Sequence, residues 1–134
     1  MEIYCGTDII EVQRIKEAIL ITKGFKEKIF TDVEIDVGEK KGEKSKYEYY
    51  AGRFAAKEAI YKAMSNIKND FCFWNVEIID DKENKNRPVI KFLDNELYNM
   101  NKTKQITVDV SISHIKEYAT AMAIVKDNRS ESLT

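Results

Sequence analysis

The apolar positions of this chain repeat with two different periods, and the changes of period divide it into elements. "EIYCGTD" reads as a short strand ending at Asp8. "IIEVQRIKEAIL" follows with Val12, Ile15 and Ile19 on one helical stripe. "GFKEKIFTDVEI" is a broken helical region, and "DVGEKKGEKSK" a charged, glycine-punctuated loop or mobile helix end. A long helix is expected from about Tyr47 to Met64. "WNVEIIDD" and "RPVIKFL" read as two strands joined by the polar turn "KENKN". "DNELYNMN" is a short helix with Asp94 as candidate cap. "QITVDVSIS" alternates, with Ile106, Val108, Val110 and Ile112 facing inward, and "YATAMAIV" is a further strand after a turn at His114. No repeat or linker interrupts the series. The pattern predicts one α+β domain over residues 1–126 and a polar, frayed tail over 127–134.

Composition narrows the class. A chain of 134 residues can bury one modest core, and a charged share of 34% with net charge −1 fits a soluble protein rather than a general nucleic-acid binder. No apolar run is long enough to span a bilayer and no signal peptide opens the chain, so a cytoplasmic location is expected. Cys5 and Cys72 have no metal-site spacing; two buried, reduced thiols are expected rather than a disulfide. With a single histidine, a His/Cys zinc site is disfavoured. The charge is uneven, however. Between Gln13 and Lys28 lie five cations (Arg14, Lys16, Lys23, Lys26, Lys28) against two acids. Such a run is either a solvated helix face or a docking surface for an acidic partner.

The chemistry concentrates in "AGRFAAKEAIYKAM", residues 51–64. At about 100° per residue, Glu58 and Lys62 point the same way, flanked by Ala51, Ala55 and Ala59. Each candidate residue has an ordinary reading. Glu58 and Lys62 can be an i,i+4 ion pair worth roughly 0.3–0.5 kcal/mol. Asp8 and Glu11 have capping-box spacing, and an N-cap contributes about 0.5–2 kcal/mol. Together, a strand-end carboxylate and a helix carboxylate also suit Mg²⁺, an oxygen-seeking ion that keeps waters and is completed by substrate phosphates. Arg53, Lys57 and Lys62 supply cations on the same helix, although no glycine-rich phosphate loop is present.

"GTDIIEVQRI", "YAGRFAAKEAIYKAM" and "VSISHIKEYATAMAIV", in that order and at this length, closely resemble the holo-[acyl-carrier-protein] synthases, the small bacterial 4′-phosphopantetheinyl transferases. The resemblance spans nearly the whole chain. It implies a mainly antiparallel sheet packed with a long helix, homotrimers with active sites between subunits, and Mg²⁺ as cofactor. The implied reaction moves the phosphopantetheine arm of coenzyme A to a serine of apo acyl carrier protein in support of fatty acid biosynthesis. By position, Asp8 and Glu58 match the metal ligands and Lys62 a lysine near the pyrophosphate. Arg53 and Lys57 are expected in cofactor-phosphate or interface roles. Ser113 and His114 match part of the nucleotide pocket, and Arg14 lies on the helix that docks the carrier. His114 has the ordinary reading of a capping residue.

Two features depart from the family pattern. A glycine is usual before the proline, where this chain has "NKNRP", with Asn86 able to adopt a left-handed conformation. The loop "EKKGEKSK" is unusually lysine-rich. Two other functions use the same residues. A nucleotide phosphohydrolase would put water where the carrier serine stands, and a non-catalytic module would bind acidic proteins through the first helix.

Overall fold

The computed structural model describes residues 1–130. Strand β1 (Glu2–Glu11) leads into helix α1 (Val12–Ile21), then α2 (Phe25–Ile29), α3 (Asp32–Glu39) and the long α4 (Glu43–Ala63). Strands β2 (Val76–Asp81) and β3 (Arg87–Phe92), helix α5 (Asn95–Lys102), and strands β4 (Ile106–His114) and β5 (Tyr118–Asp127) complete it. β5 is the centre of an antiparallel sheet ordered β1-β5-β4, and β2 and β3 form a separate hairpin. The α+β architecture expected from the sequence is the one observed. Among the described residues no helix is long and apolar enough to cross a membrane.

What makes the fold compact is small residues facing small residues. Along β5, Ala119, Ala121, Ala123 and Val125 are buried while Tyr118, Thr120, Met122 and Ile124 face outward. Against that inner face α4 presents Ala55, Ala59 and Ala63, all buried. β1 comes closer still. A Cβ at Gly6 would stand 2.1 Å from the Ala59 carbonyl oxygen and 2.9 Å from the Ala63 nitrogen, so only glycine allows the strand to lie on the helix backbone. Ile60, Met64, Ile78, Phe92, Leu97 and Ile106 fill the core beyond.

Several sequence expectations are corrected. β1 does not stop at Asp8 but pairs with β5 through Glu11, with Asp8 opposite Ala121. The β-branched Ile9 and Ile10 extend it because β5 offers partners that far. The Asp8–Glu11 capping box therefore does not form, and α1 begins at Val12 with no side-chain cap. The lysine-rich segment is mostly helix, leaving only residues 40–42 between α3 and α4. Gly38 sits inside α3 because the Tyr50 ring fills the place of a side chain there. Cys5 and Cys72 are free thiols as expected, but both are exposed rather than buried. β5 continues to Asp127, opposite Glu2 and Ile106, so the expected tail begins inside the sheet. Residues 131–134 of that tail lie outside the described residues. Other expectations hold: Asp94 accepts from the Leu97 nitrogen at 3.0 Å as the α5 cap, and Asn86 adopts φ 60° in the β2–β3 turn.

Gly6→Ala should cost at least about 1–3 kcal/mol, because the atoms in the way are backbone and cannot swing aside. Denaturant unfolding of the variant measures this, and an unchanged midpoint would refute the close-contact argument.

Candidate active site

Because β1 lies directly on α4, Asp8, two residues after Gly6 and on the same face of the strand, also meets the helix. Lys62 donates to the Thr7 carbonyl at 3.0 Å and to Asp8 Oδ1 at 3.3 Å. On the other side of the strand, the Thr120 hydroxyl donates to the Asp8 carbonyl at 2.9 Å. The second carboxylate oxygen, Asp8 Oδ2, is buried with no hydrogen-bond partner. An orphaned carboxylate oxygen is costly unless something positive completes it.

Glu58 stands close enough to feel that charge. Its carboxyl pKa is raised from the ordinary value of 4.5, first by burial and then by repulsion from Asp8, with Lys62 opposing. The i,i+4 pairing of Glu58 with Lys62 is not what forms; the lysine reaches across to Asp8 instead. Two carboxylates and one ammonium leave the cluster one negative charge in excess. Among the described residues no group of three His, Cys, Asp or Glu is positioned to hold a metal ion. Two hard oxygen donors, one of them orphaned, nevertheless fit an ion such as Mg²⁺ that takes its remaining ligands from water and substrate.

The other sequence candidates lie elsewhere. Arg53 Nε donates to the Ile78 carbonyl at 3.1 Å and its Nη2 to Asp80 at 2.9 Å, with the guanidinium 4.7 Å from the Tyr49 ring centroid. It lines a cleft of about 390 Å³ with Lys41, Tyr49, Pro88 and His114. His114 is half-exposed, its Nδ1 3.4 Å from Glu48 Oε1, and it does not cap a helix. Ser113 faces a neighbouring groove of about 320 Å³ with Ile9, Tyr118 and Thr120. Neither recess is lined by Asp8, Glu58 or Lys62. Arg14 is exposed on α1. Arg53, Ser113 and His114 thus lie apart from the Asp8–Glu58–Lys62 cluster, and Arg14 apart from both.

Lys57 is a correction. Its ammonium is wholly buried, 2.6 Å from Glu34 Oε1, and donates to the carbonyls of Ile29, Phe73 and Val76. No cofactor phosphate can reach it there. Burial pushes its pKa down and Glu34 pulls it back. Sequence reasoning missed Glu34, although Thr31-Asp-Val-Glu34 has the capping-box spacing that the structure realises. It also missed Thr120, for which the sequence carries no signal, since its role depends on strand register.

With this geometry in place, comparison with known proteins decides the family. The model of the 4′-phosphopantetheinyl transferase superfamily matches residues 4–123. A holo-[acyl-carrier-protein] synthase of Fusobacterium nucleatum is 44% identical over 93% of this chain and 99% of its own length. One from Ruminiclostridium cellulolyticum is 42% identical over 93% and 92%. Among solved structures, a holo-(acyl-carrier-protein) synthase from Bacillus anthracis, in complex with CoA (3′,5′-ADP), has TM-score 0.74 at 31% identity, over 92% of this chain and 96% of that one. The Helicobacter pylori holo-[acyl-carrier-protein] synthase in complex with coenzyme A gives 0.73 at 29% identity, over 91% and 99%. The chain belongs to the 4′-phosphopantetheinyl transferase superfamily.

For this transferase the raised Glu58 pKa has a definite consequence. A carboxyl whose folded pKa exceeds its unfolded value contributes stability that is present at low pH and is lost as pH rises through the raised value. At neutral pH the charged Glu58 beside Asp8 therefore works against folding. Glu58→Gln should raise the thermal midpoint of the metal-free transferase at pH 7, and the gain should vanish below the ordinary carboxyl range. Mg²⁺ should raise the midpoint of the parent but not of the variant. A variant less stable than its parent at pH 7 would contradict the repulsion.

Proposed function

We propose that the chain transfers the 4′-phosphopantetheine arm of coenzyme A to a serine hydroxyl of apo acyl carrier protein, in support of fatty acid biosynthesis. The orphaned Asp8 Oδ2 beside Glu58 carries this reading, because it is an incomplete cation site in a chain of a phosphopantetheinyl-transferring family. In the reaction the serine oxygen loses its proton and bonds to the β-phosphorus of the coenzyme A pyrophosphate, the proton balancing the charge of the leaving phosphate or passing to solvent. The bond from that phosphorus to the bridging oxygen breaks, and adenosine 3′,5′-bisphosphate leaves.

Asp8 and Glu58 would hold Mg²⁺, which when bound supplies charge to polarise the β-phosphate. Lys62 is half-exposed and spends donors on Thr7 and Asp8, so its ammonium is oriented toward the same centre. There it offsets the charge that develops on the leaving phosphate. Thr120 and Lys62 grip the Asp8 segment from opposite faces of the sheet, which limits its reorientation as charge moves. Arg53, Ser113 and His114 are assigned to the nucleotide portion of coenzyme A.

Because those three line other recesses, the complete site is proposed to form between subunits of a homotrimer. The outward sheet face supports this, with Ile3, Ile9, Tyr118, Met122 and Ile124 all exposed on β1 and β5. The substrates make this a cytoplasmic enzyme in the same reading. Carrier docking is assigned to α1 and α2. Lys26 is engaged by Glu39, but Arg14, Lys23 and Lys28 are exposed and leave the surface basic.

Mass spectrometry of apo carrier protein incubated with the enzyme, coenzyme A and Mg²⁺ tests the assignment. The carrier should gain the phosphopantetheine mass, and Asp8→Asn should abolish the gain while the fold persists. No gain at saturating Mg²⁺ would refute the function, and turnover of coenzyme A without carrier would point to a hydrolase. For docking, Arg14→Glu should raise the carrier KM steeply and leave the coenzyme A KM nearly unchanged, since like-charge contacts cost up to several kcal/mol. The parent's carrier KM should climb with salt, as a Debye length of about 8 Å at physiological ionic strength screens exposed charges. An unchanged carrier KM in Arg14→Glu would rule out α1 as the docking helix.

A further inference from the structure

Lys57 and Glu34 are both fully buried, and their contact lies where α2, α3, β2 and α4 meet. A buried ion pair is weak evidence of stabilisation, because the cost of removing two charges from water consumes most of the attraction. Well-packed apolar residues would hold those elements together about as well. What apolar residues cannot do is fix the direction of particular backbone groups. Lys57 does that for three: the Ile29 carbonyl at the end of α2, at 2.9 Å, and the Phe73 and Val76 carbonyls that bracket the entry to β2, at 3.1 and 2.7 Å. Glu34 adds two more, accepting from the Thr31 nitrogen at 2.9 Å and the Ile78 nitrogen at 2.8 Å.

Phe73 connects this arrangement to the active site. Around α4, Lys57, then Phe54 and Tyr61, then Glu58 follow one another at successive angles, so the two rings form a row between the buried lysine and the carboxylate. The Phe73 ring stands 6.0 Å from both Phe54 and Tyr61, closing that row, and Phe25 stacks on Phe54 at 6.3 Å. The residue whose carbonyl Lys57 holds is thus the one whose ring completes the apolar wall beside Glu58.

We infer that the Lys57–Glu34 pair is a positioning device for the transfer reaction, setting through Phe73 the aromatic wall that keeps water from the Glu58 side of the site. This rests on the proposed function, in which Glu58 belongs to the reacting centre. Lys57 touches neither substrate nor metal. Its effect passes through the backbone it orients.

The decisive comparison is between Lys57→Met and the double variant Lys57→Met with Glu34→Gln. The single change strands a buried carboxylate and should lower the thermal midpoint sharply. Glutamine removes the charge and keeps one acceptor oxygen for the Thr31 nitrogen, while the Ile78 nitrogen loses its acceptor, so the double variant should recover the part of the loss that comes from the stranded charge. If the pair only stabilises the fold, turnover recovers with the midpoint. If it positions the wall, kcat stays at least about ten-fold down, since misplacement of about 1 Å can cost 100-fold, while the coenzyme A KM changes little. The chain's single tryptophan, Trp74, lies with Phe73 in the 3-10 turn Phe73–Asn75 that leads into β2, so its emission reports the turn directly and should shift in the double variant. A double variant with parental midpoint, kcat and emission overturns the proposal. Should it fail to fold, Phe73→Leu decides, because it leaves the ion pair intact: a similar kcat loss supports the wall, and undiminished turnover overturns it. If the parent itself transfers nothing, the functional reading fails on its own, and the Trp74 emission still judges whether the pair sets the turn.

Discussion

The contact on which the site depends is the one between a strand and a helix backbone at Gly6. A side chain there would collide with the Ala59 carbonyl and the Ala63 nitrogen, so glycine lets β1 approach α4 more closely than ordinary helix-on-sheet packing permits. The alanines of α4 and of β5 extend the same close layer across the sheet. Small residues contribute little apolar area each, so this interface is a poor way to maximise hydrophobic stabilisation. Its merit is distance. Lys62 can bridge from the helix to both Thr7 and Asp8 only because two backbones are nearly in contact.

Close approach also explains the electrostatics. Asp8 is carried into a place where one of its oxygens finds no donor, and Glu58 is half-buried near it with its pKa raised. A fold selected for stability alone would satisfy or remove such groups. Here a charge imbalance persists where a strand carboxylate and a helix carboxylate converge, which supports the proposed role of the cluster in holding a cation.

Much of this was legible in the sequence, and the failures have physical causes. Periodicity found every strand and the long helix, because hydrophobic period survives packing. It misjudged the end of β1, since the extent of a strand depends on the partner that β5 supplies. The capping-box reading of Asp8 failed with it. Helical angle placed Glu58 and Lys62 on one face, and Asp8 was joined to them through the resemblance; their actual pairing was not read, because an i,i+4 rule describes an isolated helix and Lys62 had a better acceptor on another element. Lys57 shows the sharper limit. Its helical position suggested a cation for phosphate, and nothing local shows that four acceptors from distant segments enclose it.

Lys57 and Glu58 are neighbours in sequence with opposite fates, and the contrast separates the structural from the chemical parts of α4. For Lys57 the fold supplies a carboxylate and three carbonyls, so its charge is satisfied before any ligand arrives. For Glu58 it supplies burial and a second carboxylate, and only Lys62 works in its favour. A rotation of about 100° along the helix axis separates the two environments. One helix can therefore anchor the β2 entry and α3 on one side, rest on the sheet through its alanines on another, and keep a half-buried carboxyl of raised pKa between them. Backbone anchoring and the proposed chemistry are divided by angle rather than by position along the chain, which is how a single motif of nine residues, Phe54 to Lys62, can carry both.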